Sequence, residues 1–259
     1  MKNARTARAL LRARLASYRI SPEAFWVYFL SVGLYQLMGL TFVLVTTSRL
    51  QAGAGWLATY VFGVFQGATG LAYATGAWTV FLASRYVRRG ELDMLVLLPA
   101  DLRLVMPLIN FEPGEMSSAL AGLVIALFGL HIGGRLTPVN LLLTVLGIMT
   151  GAAIAYSLFV IAASLVLYNK GLATGINLAM DLVQFGQYPM RFYPGALRII
   201  FTWGLPLAVI ANVPAHLVEA GLSRLPWYSL PGLIGFGALA LLASNAIFGL
   251  GVRRFVRHW

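Results

Sequence analysis

Six long apolar stretches dominate this chain, and few folds can accommodate them. They cover residues 24–47, 57–83, 116–133, 139–167, 197–218 and 229–252. A helix needs about 20 mostly apolar residues to cross the hydrocarbon core of a bilayer. The first, second, fourth and sixth stretches contain no Asp, Glu, Lys or Arg. The third is short, and the fifth carries Pro206 and Pro214, so their ends are less sharply drawn. Charged residues make up only 10% of the 259, whereas a soluble domain needs about 25% to keep its surface in water. Most of the surface must therefore face lipid. The expected fold is an all-α membrane protein with six transmembrane helices, a single domain over 1–259.

The basic residues set the orientation. With a cytoplasmic N-terminus, the inner segments hold Lys2, Arg5, Arg8, Arg12, Arg14 and Arg19, then Arg85, Arg88, Arg89 and Arg103. Lys170, Arg191 and Arg198 follow, and Arg253, Arg254 and Arg257 complete the set. Six, four, three and three make 16 inside, against Arg49, Arg135 and Arg224 outside. The positive-inside rule then places both termini in the cytoplasm. The net charge of +11 is thus distributed between apolar runs and forms no patch suited to nucleic acid, which is not an expected partner. No cysteine occurs, which excludes disulfides, thiolate metal sites and a Cys nucleophile.

Residues 1–22 read as an interfacial basic helix. Ala4, Ala7, Leu11, Leu15 and Tyr18 recur at helical spacing beside Arg5, Arg8, Arg12 and Arg19. Arg14 falls within the apolar arc and has to snorkel. A secretory signal would have a shorter apolar core and a cleavage site; a mitochondrial presequence also fits the composition, but the helical spacing favours an interfacial helix. Pro22 marks a new helix start.

Two segments interrupt the apolar pattern. In 84–115, a basic helix end is followed by Gly90, a short amphipathic piece and Pro99. Arg88, Arg89, Glu91, Asp93, Asp101 and Arg103 alternate in sign around Leu92, Met94, Leu95, Val96, Leu97 and Leu98. Those residues are too apolar for a free loop and need the membrane interface or a partner's groove. In 168–196, Gly171, Gly175, Gly186, Pro189, Pro194 and Gly195 forbid one straight span. Short helices at the cytoplasmic interface are expected there.

Several chemistries are excluded. Neither Lys2 nor Lys170 follows Gly, so no phosphate-cradling loop exists. His131, His216 and His258 lack a second ligand at helical spacing, and no metal site is expected. No catalytic residues are expected. Proton-coupled carriers and intramembrane enzymes place ionisable groups inside their spans, and these spans offer almost none. Asp181 could pair with Arg191 or face cytoplasmic water.

Thr59, Gly63, Gln66, Gly70, Tyr73 and Ala77 share one face of the second span. That face is either a helix–helix packing seam or, through Gln66 and Tyr73, the border of a substrate path. Tyr35 and Gln36 interrupt the first span and are further path candidates. Gly147 and Gly151 read as packing residues.

The run 88–99 resembles the cytoplasmic motif of bacterial ABC-2 type permeases, in particular a six-span group formerly known only as a domain of unknown function. The order of Tyr188, Pro189, Tyr193, Pro194, Pro206, Asn212, Pro214 and Ala215 resembles the same group. The resemblance implies a permease that dimerises with itself or a sister permease and engages cytoplasmic ABC ATPase subunits. It implies export across the bacterial cytoplasmic membrane, with ATP-Mg bound by the partner ATPase and no cofactor on this chain. Gly90, Glu91, Leu92 and Asp93 fall on the segment expected to contact that ATPase. The family usually has a basic residue where Leu98 stands, which moves the polar contact toward Arg88, Arg89 and Arg103. Tyr188, Pro189, Tyr193 and Pro194 belong to a second moving element at the interface. The competing classes are an ATP-independent secondary carrier, a lipid-modifying enzyme and a non-transporting scaffold.

Overall fold

Proline at a first helical turn loses no hydrogen bond and supplies a helical φ. Accordingly, α1 (Lys2–Ile20) ends just before Pro22 and α2 (Pro22–Leu50) begins on it. The computed structural model describes residues 2–20, 22–50, 55–77, 85–86, 89–90, 101–168, 175–221 and 226–257. Every element among them is helical. After α2 come α3 (Gly55–Ala72), α4 (Leu102–Ile109), α5 (Met116–Ile132) and α6 (Pro138–Tyr168). Then follow α7 (Gly175–Gln184), α8 (Gly195–Ile199), α9 (Leu207–Ala220) and α10 (Ser229–Arg257).

Four described segments are long and apolar enough to cross a membrane: Pro22–Val45, Pro113–Ile132, Pro138–Tyr168 and Ser229–Phe255. They turn large apolar side chains outward. Leu30, Leu34, Met38 and Phe42 on α2, Val124 and Phe128 on α5, and Leu239 and Leu242 on α10 are all exposed. A contiguous apolar exterior of this kind marks a surface that meets lipid.

The fifth apolar stretch is not one straight helix. α8 continues into a π turn (Ile200–Gly204), and Leu205 is extended at φ −118°. α9 then leaves at 100° to the preceding piece. Pro206 explains the break, because it cannot donate to a continuing helix and drives the residue before it out of helical geometry. If this bent pair is one span, the count is five.

The second stretch forms the centre of the bundle. Every residue from 57 to 70 is buried, and α3 packs against α2, α5, α6 and α9. A helix surrounded by other helices can carry Thr59, Tyr60, Gln66 and Thr69 that a lipid-facing one could not. The expected continuous run to residue 83 is interrupted at Gly76, and 78–83 lie outside the described residues. A π turn (Tyr73–Ala77) follows α3, with Gly76 at φ 99°. A Cβ on Gly76 would lie 2.6 Å from the carbonyl oxygen of Pro107, so both the backbone angle and the approach of α4 require glycine.

Small residues bring α3 and α5 together. A Cβ on Gly63 would stand 2.3 Å from the Ala126 amide nitrogen, and one on Gly122 only 2.1 Å from that of Gly67. Close backbone approach of this kind substitutes dispersion contact for the hydrophobic force that lipid does not supply between helices. Gly147 and Gly151 do the same on α6, against Pro214 and Ile210 of α9. The hydroxyls of Thr150, Ser157 and Ser164 donate to carbonyls one turn back at 2.7 Å, so these buried polar groups are satisfied within their own helix.

Arg14 does not need to snorkel. Its Nη2 pairs with Glu112 Oε2 at 2.8 Å and its Nε donates to the Phe111 carbonyl at 2.9 Å. α1 is thereby tied to the strand of chain that leads from α4 into α5, and it also packs on α4 itself.

Candidate functional site

Between α2, α3, the start of α5 and α7 lies a cavity of about 680 Å³, within the range of pockets that hold drug-sized molecules. Tyr35 and Gln36 reach it from α2, Gln66 from α3 and Tyr73 from the π turn that follows α3. The four residues singled out as path candidates therefore line one space. The residues of the stripe divide between helix packing and the cavity wall. Gly63 and Gly70 seat α5, while Gln66 and Tyr73, from the same face, border the cavity.

Local sequence explains the positions. Pro113 opens a 3-10 turn over Pro113–Glu115, which delivers α5. A Cβ on Gly114 would lie 2.4 Å from the Tyr28 ring, so glycine leaves room for that ring against the turn. The Tyr28 hydroxyl then donates to Glu115 Oε1. Next to it, the Tyr18 hydroxyl donates to Glu112. Burial first, and then that hydrogen bond, push the Tyr18 hydroxyl well above the ordinary phenol range, so it remains a donor. Tyr73 is held by stacking on Phe159, with ring centroids 5.2 Å apart.

Gln36 is 5% exposed. Its Nε2 donates to Ser118 Oγ at 2.6 Å, and its Oε1 is buried without a hydrogen-bond partner. A buried amide oxygen left unpaired is unfavourable by about 1–3 kcal/mol, which singles this atom out among the cavity's polar groups.

The cavity is not free of ionisable groups, as the spans alone suggest. Glu115, 7% exposed, lies within the candidate span Pro113–Ile132 and lines it together with the exposed Asp181 of α7. Sequence reading missed Glu115 because an acid just before an apolar run reads as the end of a solvated loop. The signal that could have found it is the Glu112-Pro-Gly-Glu115 turn itself. No ion pair joins Asp181 to Arg191 among the described residues, and no Lys, Arg or His among them lines the cavity. Nor do three or more His, Asp or Glu among the described residues form a group that could hold a metal ion.

The second candidate element packs beside this space. Gln187 contributes to the cavity wall. Asn212 on α9 accepts from the Met190 amide at 2.8 Å and donates to the Tyr188 carbonyl at 3.3 Å. Tyr188 packs against the cluster of Val43, Ala58, Phe62 and Ile125, and Pro189 is buried. The Tyr193 hydroxyl donates to the Phe185 carbonyl at 2.7 Å, and Phe201 stacks on Phe185 at 5.4 Å. Pro194 precedes α8. A hairpin of chain is thus fastened to α9 by one amide side chain, a role that the sequence did not reveal for Asn212.

Of the coupling residues, Arg88, Glu91, Leu92 and Asp93 lie outside the described residues. Arg89 is exposed, Gly90 is exposed at φ 69°, and Arg103 lies on α4.

A search of the curated proteins finds no match. The family model described as ABC-2 family transporter protein matches residues 33–258, which takes in every helix from the middle of α2 onward. With several helices able to cross a bilayer and a match over most of its length, the chain belongs to the ABC-2 family of transporter proteins, as a multi-pass membrane component.

Proposed function

We propose that this chain is the permease subunit of an ATP-driven exporter in the bacterial cytoplasmic membrane. It crosses the membrane six times with both termini inside, forms the substrate path as a dimer, and is driven by separate ATPase subunits. The observation that carries this reading is the cavity, where polar side chains of α2 and α3 chosen on sequence grounds meet in a family of transporters. The chain has no phosphate-binding loop of its own, so the work has to enter from a partner. The segment around Arg88, Arg89, Gly90, Glu91, Leu92, Asp93 and Arg103 is the proposed contact. ATP-dependent closure of the partners shifts packed helices between two arrangements, because each nucleotide state favours one of them. The hairpin around Tyr188, Pro189, Tyr193 and Pro194 moves with α9.

Filling the cavity tests this. Gln66→Trp places a bulky ring where an amide now lines the space. Transport by the intact complex is expected to fall about tenfold or more, while the ATPase subunits still co-purify. Transport at the unaltered rate would remove the cavity from the path.

Glu115 favours one second reading, a proton-coupled carrier, since a buried acid inside a span is the group such a carrier needs. Dependence on an ion gradient without ATP distinguishes it.

A further inference from the structure

We infer that the exposed face of α1 holds anionic phospholipids, in the leaflet where α2 enters the bilayer. This rests on α1 lying at the membrane interface and needs neither ATP nor a transported substrate. The helix has two distinct faces. On one, Leu10, Leu11, Arg14 and Tyr18 are half-buried. Arg14 and Tyr18 reach Glu112 from there, and the helix packs on α4. The other face carries Arg8, Arg12 and Leu15, all exposed, at spacings of four and three that align them along the helix. A guanidinium is a planar fork of N–H donors that grips a phosphate group at two points. Two of them one turn apart, about 6 Å along the axis, can engage neighbouring headgroups. Leu15, with the exposed Ala13 and Ala16 beside it, lets this face settle at the boundary between headgroups and acyl chains.

Charge and position favour lipid as the occupant. Residues 1–22 hold six basic residues and no acid. The whole chain has eight Asp and Glu against 19 Lys and Arg. Wherever the acids sit, most of the basic charge has to be met from outside the chain. α1 ends at Ile20 and α2 starts at Pro22 as a candidate span, which tethers the end of α1 to the bilayer surface. Tyr18, Phe25 and Trp26 meet edge to face there, with ring centroids 5.7 and 5.5 Å apart, and Trp26 is exposed. Aromatic side chains of this kind settle at headgroup level. The last turn of α1 therefore lies where lipid phosphates are.

The chain has no cysteine, so Ala16→Cys provides one attachment point for a bimane fluorophore on the exposed face. The labelled full chain is reconstituted in phosphatidylcholine liposomes. These contain a small, equal fraction of either phosphatidylglycerol or phosphatidylcholine with a nitroxide near the start of one acyl chain. A nitroxide quenches bimane only at short range, so the two quenching curves give the relative association of the two lipids with α1. Phosphatidylglycerol is expected to associate at least about tenfold more strongly, since each Arg near an anionic surface contributes about fivefold. Arg8→Gln with Arg12→Gln should lower that preference about fivefold or more, and about 1 M salt should also weaken it. Arg253→Gln with Arg257→Gln removes equal charge from exposed positions at the end of α10 and should leave the preference within about twofold. Equal quenching by the two lipids would keep α1 at the interface and overturn the lipid preference. Quenching by neither would overturn both, and shielding of the bimane by a co-expressed cytoplasmic ABC ATPase would then assign the face to a protein. A preference that survives the exchange of Arg8 and Arg12, or falls as far with that of Arg253 and Arg257, would belong to net charge alone and overturn the site.

Discussion

Gly122→Val is expected to prevent α3 and α5 from closing on each other and to remove most of the protein from the monodisperse fraction in detergent. A Cβ at this position would stand 2.1 Å from the Gly67 nitrogen, 2.6 Å from its Cα and 2.7 Å from the Gly63 carbonyl oxygen. All three are backbone atoms of one buried helix, so no side chain can rotate away and the helices themselves must separate. Overpacking a well-fitted core is destabilising by about 1–3 kcal/mol, and a clash with rigid backbone belongs at or above the upper end. Gly63→Val attacks the seam from the other side, at 2.3 Å from the Ala126 nitrogen, and should behave alike. Gly33→Ala is the control. Its Cβ meets nothing within 4 Å, and exchanging a helical glycine for alanine is favourable by about 1 kcal/mol. Size-exclusion profiles and thermal midpoints read the difference. A Gly122→Val protein as well behaved as Gly33→Ala would mean that the two helices do not touch as described.

Reversing charge at Glu91 and Asp93 together, as Glu91→Lys with Asp93→Lys, is expected to lower the ATPase retained on affinity-purified chain about tenfold or more. A partner surface built to meet two acids would instead meet two bases, and like charges brought together at an interface both weaken the complex and slow its formation. The seam between α3 and α5 is remote in sequence from this change, so the chain should keep its thermal midpoint. Loss of the ATPase at an unchanged midpoint supports the proposed contact. Full retention would move the contact elsewhere, with Arg89 and Arg103 the next positions to exchange.

Much of the helical layout was legible in the sequence because lipid imposes a one-dimensional rule: length, apolarity and the placement of Arg and Lys. Four of the apolar stretches are helices that could cross a bilayer by themselves. The rule fails where neighbours replace lipid. α3 is polar enough to fall outside that set because other helices surround it. Pro206 was visible as a hazard, but the 100° bend depends on what α9 packs against after the break, and periodicity does not encode that. In the cavity, Tyr35, Gln36, Gln66 and Tyr73 were legible as polar interruptions of apolar runs, which have to face something other than lipid. Glu115 was not, since the Tyr28 hydroxyl that donates to it lies 87 residues away. Arg14 likewise read as a snorkelling residue until its pair with Glu112, 98 positions on, came into view. Contacts of that sequence separation follow from the packing of whole helices.

The most direct measurement is transport by the purified chain in sealed liposomes, with and without a co-expressed cytoplasmic ABC ATPase. An amphiphilic fluorescent peptide that protein-free liposomes exclude serves as the solute, and ATP and an ion gradient are supplied separately. ATP-dependent movement that needs both proteins, with none from the chain alone under an ion gradient, is the predicted result. Movement by the chain alone down an ion gradient, with no nucleotide and no companion, would contradict it and assign Glu115 to a proton-coupled carrier.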